Sequence, residues 1–298
     1  MILGTVVWGS LLACAQEPKA PPPPLKIGIT TTDSYRFDAD LEGVGQVAVS
    51  QVKLTVDASY TAGMMDYLKF NAGFDFYRYD FSSDAELLPG VTDLFEDMFV
   101  MRAEGSWIHV FDMQWSGLAA VNVYSQYEEG ASPADGVSLG LGIGPMMRLS
   151  ADLTIGVALR IQTRIEESPY VFPLPIIDWK ITPELTLQNE SRVGTGYSLT
   201  YSLDPAGGKK LEARGYYAMR RFRLDEGSVP DKGVVQDDRF ALDAGFRMQL
   251  AGGTFSWGVH AGLDLWQQYT VESRDGDNLE EVSTDPSPFM ALTLSLSF

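Results

Sequence analysis

Apolar and polar side chains alternate along most of the chain after residue 24. One run carries an apolar row with polar residues between its members: Val52, Leu54, Val56, Ala58 and Tyr60. The next run repeats the pattern with Leu68, Phe70, Ala72, Phe74 and Phe76. Because successive side chains of a strand point to opposite faces, each run predicts a strand with one apolar and one polar face.

The same alternation recurs to the end of the chain. The further runs are Phe99–Trp107, Phe111–Val123, Val137–Met147, Leu153–Ile161, Tyr197–Leu203, Leu211–Met219, Phe240–Leu250 and Phe255–Leu265. Leu25–Phe37 reads as a first strand, and 176–181 with 185–188 as a weaker pair. Soluble strands usually have about five or six residues, whereas tilted membrane strands need about 9–11. The length of several runs therefore favours a membrane barrel over a soluble sandwich.

Connections between the runs alternate in length. Short turns are predicted near residues 61–66, 108–109, 150–152, 182–184, 205–209 and 251–253. Longer acidic connections are predicted near 38–45, 82–96, 128–136, 166–173, 225–236 and 272–286. Outer-membrane barrels have short periplasmic turns, longer external loops and an even strand number. The pattern predicts an all-β fold, an antiparallel transmembrane β-barrel of about 14 strands, or about 12 if the proline-flanked segment 176–190 is only a loop.

The last nine residues complete this pattern. Met290, Leu292, Leu294, Leu296 and Phe298 alternate with small polar residues, and the chain ends on the aromatic ring. This resembles the closing strand of bacterial outer-membrane β-barrel proteins. The resemblance implies an outer-membrane location, contact with outer-membrane lipid, and recognition by the barrel-assembly machinery. Pro173, Pro175 and Trp179, with the leucines that follow, also resemble an uncharacterised family of such barrels.

The N-terminal residues have the features of an exported protein. Residues 1–15 combine an apolar stretch with small residues, which predicts a signal peptide, although no Lys or Arg precedes the apolar part. Cleavage after Ala15 and lipidation at Cys14 both remain open. Residues 16–24 include four consecutive prolines and predict an extended tether, followed by the barrel at 25–298.

Composition excludes some classes of function. The net charge of −18 argues against nucleic-acid binding, because phosphates require a basic surface. No apolar run of about 18 residues follows the N-terminus, so helical membrane spans are not expected. A barrel escapes that test because lumen residues alternate with its lipid-facing ones.

No motif predicts catalysis, a metal or a cofactor. Gly140, Gly142 and Gly144 precede Pro145, unlike a dinucleotide-binding loop, and their phase places them on the lumen face, where they leave room for a neighbour or a solute. His260 faces the lumen without a nucleophile or metal-ligand partner nearby in sequence. Asp275 and Asp277 have carboxylates at calcium-like spacing, but an ordinary external loop is the favoured interpretation.

Charged residues on the lumen phase carry the functional hypothesis. The candidates for pore lining are Asp57, Asp75, Glu104, Asp112, Arg148, Arg160, Arg214, Arg239, Arg247 and Asp264. We expect Arg148, Arg160, Arg214 and Arg247 to face Asp57, Asp75 and Asp112 across an aqueous path, because charge facing lipid is costly. The first functional hypothesis is a passive, porin-like channel for small polar solutes. The second is a closed structural or surface-binding barrel that acts through its acidic external loops.

Overall fold

The strands follow the alternating runs closely. The computed structural model describes residues 25–42, 45–85, 87–88, 91, 95–190, 194–250 and 253–298. Its strands are β1 (Leu25–Asp40), β2 (Gln46–Ala62), β3 (Asp66–Phe81), β4 (Asp97–Val110), β5 (Trp115–Glu128), β6 (Val137–Arg148), β7 (Leu153–Arg164), β8 (Glu167–Lys180), β9 (Leu185–Glu190), β10 (Thr195–Ser202), β11 (Lys209–Arg223), β12 (Val234–Leu250), β13 (Phe255–Glu272), β14 (Asn278–Thr284) and β15 (Ser287–Ser297). None of the described residues forms a helix long and apolar enough to span a membrane.

The sheet closes on itself. Strands β1 to β13 pair with their chain neighbours, and every one of these pairings is antiparallel. β15 and β14 pair in succession with β13, so together they form one barrel strand. β15 then pairs with β1 from Gly28↔Ser297 to Arg36↔Phe289. The result is a closed antiparallel barrel of 14 strands, which confirms the larger of the two predicted strand numbers.

The segment that left the strand number open forms β8 and β9. β9 has only six residues, and its ladder with β8 contains only the pairs Asp178↔Gln188, Trp179↔Leu187 and Lys180↔Thr186. Beyond them the Asn189 side chain takes over, accepting a hydrogen bond from Ile177 N–H (2.7 Å) and donating one to Pro175 C=O (2.8 Å). Pro175 cannot donate to a ladder, so it is tolerated on this open edge. β9 is short, and the Asn189 side chain replaces part of its ladder with β8. The alternation of apolar and polar residues is therefore weak in this segment.

The two ends of the barrel differ. At the turn end, four-residue connections join β4 to β5, β6 to β7 and β8 to β9, and both β1 and β15 have their outer termini there. At the loop end, β3 is joined to β4 by residues 82–96 and β11 to β12 by 224–233. Two predicted long loops are wrong. The connection at 166–173 is a tight hairpin because β8 begins at Glu167, and β14 occupies much of 272–286.

An apolar belt surrounds the outside of the barrel. Exposed Leu, Ile and Val side chains cover its middle, for example Leu141, Ile143 and Leu159. Aromatic residues frame it, with Tyr60, Trp107, Trp115, Trp179 and Tyr201 toward the turn end and Tyr35, Phe37, Phe240 and Trp266 toward the loop end. Asp33 also faces outward within this belt, where it pairs with Leu292 of β15 and Val52 of β2. This surface requires lipid as its surroundings, as outer-membrane barrels do.

The predicted signal peptide, the tether and Cys14 lie outside the described residues. Cleavage after Ala15 and lipidation at Cys14 therefore stay predictions. An intact-mass measurement on protein extracted from outer membranes would separate them, since only lipidation leaves Cys14 as the first residue.

The end-to-end asymmetry gives a testable orientation. In a Cys14→Ala background, we expect a membrane-impermeant maleimide added to intact cells to label Gly227→Cys and Asp275→Cys, which lie at the loop end. Met64→Cys and Met113→Cys should react only after permeabilisation, although both native side chains are highly exposed (91% and 88%). The opposite labelling pattern would mean that the barrel is inverted relative to this assignment.

Candidate functional site

A cavity wide enough for water runs along the inside of the barrel. It has a volume of about 490 Å³ and is lined by residues of β1 to β5, β11 to β13 and β15. At the turn end its lining includes Gly208, Gln249 and Ser297, and toward the loop end it reaches Tyr77, Tyr124 and Arg220. Because the polar faces of the strands point inward, this space is hydrophilic along most of its length.

Positive charge dominates the wall of this cavity. Its ionisable residues are eight cations against two carboxylates: Arg36, Lys53, Arg102, Lys210, Arg214, Arg220, Arg239 and Arg247, with Asp57 and Asp75. The chain as a whole carries a net charge of −18. The residues that line the cavity thus carry a net positive charge within an acidic protein, and several of the carboxylates that pair with them lie just behind the lining.

Ion pairs fix several of these cations to carboxylates. Arg102 donates to Asp75 (2.5 Å) and to the Thr55 hydroxyl (2.6 Å), and Arg214 donates to Asp243 (2.7 Å). His260 lies between Asp243, 3.2 Å from its Nδ1, and Glu212, 3.5 Å from its Nε2. Removing one member of a buried pair leaves the other charge uncompensated, at a cost of about 3–5 kcal/mol. The charged wall is therefore rigidly held.

The glycines of β6 serve packing. A Cβ at Gly140 would lie 2.2 Å from Gln162 Oε1 and 2.4 Å from Asn122 Oδ1, two side chains that hydrogen-bond to each other across it. A Cβ at Gly144 would lie 2.0 Å from the Val157 carbonyl oxygen. These two glycines make room for neighbours, whereas Gly142 has only the Ala120 Cβ within 4 Å.

An aromatic plug closes the loop end of the lumen. We define the plug as the buried apolar cluster around Tyr79, Phe95, Phe222 and Tyr269. The Tyr79 ring meets those of Phe95, Phe222 and Tyr269 edge-on at centroid distances of 5.1, 6.5 and 6.1 Å, and its hydroxyl donates to Asp237 (2.8 Å). The cavity ends against this plug.

A second layer of ion pairs surrounds the plug. The loop end of β11 meets β5 across the lumen, at Arg223↔Tyr127, although five strands separate them along the wall on one side. Arg221 makes a two-fold contact with Glu272 (2.8 and 2.5 Å) and donates to the Ile165 carbonyl (2.9 Å). Arg223 pairs with Glu166. These contacts pull the β7–β8 hairpin and β11 together over the lumen.

The ten predicted lining residues separate into two groups. Asp57, Asp75, Arg214, Arg239 and Arg247 line the cavity. The others lie elsewhere: Glu104 accepts from the Tyr124 hydroxyl, Arg160 donates to Asn122 (2.6 Å), Asp264 pairs with Arg36 (2.8 Å), and Arg148 ends β6 at the turn end. Asp112 corrects the prediction, because it lies in the β4–β5 turn and its carboxylate accepts from the N–H groups of Gln114 and Trp115.

The ten candidates left out five of the eight wall cations, namely Arg36, Lys53, Arg102, Lys210 and Arg220. The phase of Lys53, Arg102 and Arg220 already directs them inward, whereas Arg36 and Lys210 were missed altogether. Arg36 alternates with the outward aromatics Tyr35 and Phe37, so its phase was readable once β1 was recognised as a full strand. Lys210 lies just beyond a predicted turn. The plug was signalled more weakly, by tyrosines on the polar phase of β3 and β13.

The acidic hairpin between β13 and β14 has an internal explanation. The Ser273 hydroxyl accepts hydrogen bonds from the N–H groups of Asp275 (3.2 Å) and Asp277 (3.1 Å). Within the described ranges, no group of three or more His, Cys, Asp or Glu residues is arranged to hold a metal ion.

Comparisons with known proteins concern the barrel architecture. No protein-family model matches the chain, and no curated protein matches it in sequence. Among solved structures, the COG4313 outer membrane channel from Pseudomonas putida F1 is 11% identical over 95% of this chain and 100% of its own, with a TM-score of 0.47. The P. putida toluene transporter TodX is 10% identical over 93% and 91%, with a TM-score of 0.43. The KdgM porin in complex with oligogalacturonate is 9% identical over 90% and 99%, with a TM-score of 0.37.

The chain's own geometry identifies its class. An even number of strands, a closed antiparallel sheet, an apolar belt framed by aromatic residues and a polar lumen occur together in outer-membrane barrels. The protein is a closed antiparallel β-barrel of 14 strands with the outer surface of a transmembrane barrel, and a plug closes its basic cavity at the loop end.

Proposed function

We propose that this barrel is a gated channel for small polar solutes, with a preference for anions. The observation that carries the proposal is the basic cavity of about 490 Å³, which extends from the turn end to the plug. Interior side chains can fill a barrel of about eight strands, whereas wider barrels leave space for a ligand or an aqueous channel. A structural barrel has no need of such a space.

Gating is part of the proposal because the plug blocks the path at the loop end. The plug is built from loop residues as well as strands, including Ala85 and Leu87 of the β3–β4 connection. A loop held by side-chain packing can move away without any break in the barrel ladder. In the open state the solute would pass the arginine-rich wall, whose field favours negative charge.

The plug also favours the second candidate, a closed barrel that binds partners through its acidic loop end. That alternative predicts a barrel that inserts fully and never carries current. Planar-bilayer recording on the purified protein separates the two, because discrete openings in wild-type protein require an aqueous path.

Ion selectivity tests the basic wall directly. We expect wild-type openings in a KCl gradient to show a reversal potential on the anion-selective side, and Lys210→Glu to shift it toward cations. Lys210 lines the cavity near its mouth, where a charge change acts on passing ions. Its neighbour Lys209 lies on the outward phase of β11 and is exposed, so Lys209→Glu is the matched control and should leave the potential nearly unchanged. Equal shifts in both variants, or cation preference in the wild type, would contradict the proposal.

A further inference from the structure

Arg239 is a fully buried cation with unmet hydrogen-bond donors. It lies on β12, is 1% exposed, and lines the cavity near its inner end. Its Nε and Nη1 atoms have no hydrogen-bond partner among the residues that the structure describes. A buried charged group without partners is costly, and such groups are normally paired. The burial of Arg239 with two unpaired donors therefore needs an explanation.

Two further arginines share this place. Arg36 and Arg220 lie close enough to Arg239 for their charges to repel it, while Asp264 and Asp237 attract it. Arg36 Nε donates to Asp264 Oδ2 (2.8 Å) and Arg220 Nη1 to Asp237 Oδ2 (2.9 Å). Three guanidinium groups thus face two carboxylates, which leaves one positive charge unmatched.

Rearrangement of the side chains within this cluster would not remove its excess of hydrogen-bond donors. Asp264 Oδ1 is the acceptor in the cluster without a hydrogen bond, while the donors without one are Arg36 Nη1, Arg239 Nε and Arg239 Nη1. If Arg239 turned to Asp264, one donor would be satisfied and two would not. The cluster has more donors than acceptors in every arrangement of its own side chains.

We propose that Arg36, Arg220 and Arg239 form a binding site for a small organic carboxylate. A carboxylate supplies two acceptor oxygens and one negative charge, which match the excess of donors and of positive charge. Because the unmet donors of Arg36 and Arg239 are themselves buried, these side chains would turn toward the cavity when the ligand binds. The proposal rests on the channel function and narrows it, because it assigns the solute class that would pause beneath the plug. In that position the ligand would lie against the groups that must move for the channel to open.

The surroundings of the arginines select an organic anion over an inorganic one. The guanidinium carbon of Arg36 lies 5.6 Å from the centroid of the Phe289 ring. The guanidinium carbon of Arg220 lies 4.4 Å from the centroid of the Tyr77 ring. Both rings line the cavity, together with Tyr216 and Met219. A volume of about 490 Å³ is within the usual range of small-molecule sites, roughly 300–1,000 Å³. An apolar group attached to the carboxylate would pack against these rings, whereas a bare inorganic anion would leave the space beside them unfilled.

Equilibrium binding tests the site without requiring current. Isothermal titration of sodium benzoate into detergent-solubilised full-length barrel, at constant ionic strength, should show saturable binding. Benzamide, which keeps the ring and lacks the charge, and inorganic phosphate should bind more weakly. Arg239→Gln should weaken benzoate binding about tenfold or more, the loss expected for a hydrogen bond to a charged group. Arg247→Gln, which removes the same charge from the cavity wall away from this cluster, should have a much smaller effect.

A second variant guards against a folding defect. Asp264→Asn removes the internal competitor for the arginines and should strengthen benzoate binding, provided that heat-modifiable migration shows a folded barrel. Absent benzoate binding, equal losses in Arg239→Gln and Arg247→Gln, or phosphate binding as tight as benzoate, would overturn the assignment. If the protein conducts but does not bind benzoate, the channel proposal stands and the carboxylate site is refuted. If it binds benzoate but never conducts, the carboxylate site stands and the channel proposal is refuted.

Discussion

Replacing Tyr79 and Phe222 with alanine should convert the closed barrel into one that conducts continuously. Both side chains are almost completely buried at the centre of the plug, 1% and 0% exposed. Their rings are in edge-on contact with each other, and Phe222 also meets Tyr77 at 5.9 Å. Removing both rings would join the cavity to the loop end, and we expect planar-bilayer recordings to show openings that last for most of the trace.

The cost to stability should be tolerable. Truncating a buried aromatic to alanine in a closed core costs about 3–5 kcal/mol, partly through the cavity that remains. Water can enter this space from the lumen, so we expect the lower part of that range, and heat-modifiable migration will verify folding. Phe240→Ala is the matched control, because it removes an aromatic ring from the outer surface and should not change conductance. If the double variant inserts correctly and carries no more current than the wild type, the plug is not the barrier.

Placing two arginines on the outer face of the closing strand should prevent assembly. Leu292 and Leu294 lie on β15 with their side chains in the apolar belt, paired to β1 on one side and β13 on the other. An arginine facing lipid near the midplane costs about 2–4 kcal/mol. Two of them would consume much of a typical stability of about 5–15 kcal/mol. We expect Leu292→Arg with Leu294→Arg to lose the heat-modifiable band and to accumulate unfolded.

The opposite face of the same strand provides the control. Thr293 and Ser295 line the cavity and hydrogen-bond to Thr32 (3.1 Å) and Thr30 (3.0 Å). Arginines at these two positions would reach water, so the barrel should still form, with a small loss from the broken hydroxyl contacts. Normal assembly of the Leu292→Arg, Leu294→Arg variant would show that β15 does not face lipid.

These two experiments address different parts of the protein. The plug variants test what happens inside an intact barrel, and the β15 variants test whether the barrel forms against lipid. Both functional candidates require an assembled barrel. Openings in the wild-type protein distinguish the gated channel from the closed surface-binding barrel, because removal of the plug would open either one.

The sequence by itself determined the fold class, the membrane-facing surface and the phase of most strands. Residue spacing along a strand is a local property, and each side chain of Leu68–Phe76 or Met290–Phe298 has its face fixed by whether its position is odd or even. That is why Asp57, Asp75, Arg214, Arg239 and Arg247 could be assigned to the cavity from their phase alone. Asp112 failed because a turn, in which the alternation stops, begins before it.

The tertiary structure alone decided where the lumen is open. Phase gives a direction for each side chain but no height along the barrel and no neighbour across it. Tyr79, Phe222 and Tyr269 lie on strands far apart in the chain, and only closure of the barrel brings their rings together. The same closure places Arg36 of β1 beside Arg220 and Arg239, which makes a cluster of three cations from residues separated by up to 203 positions in the sequence. Pairing between distant strands therefore decided both the plug and the arginine site.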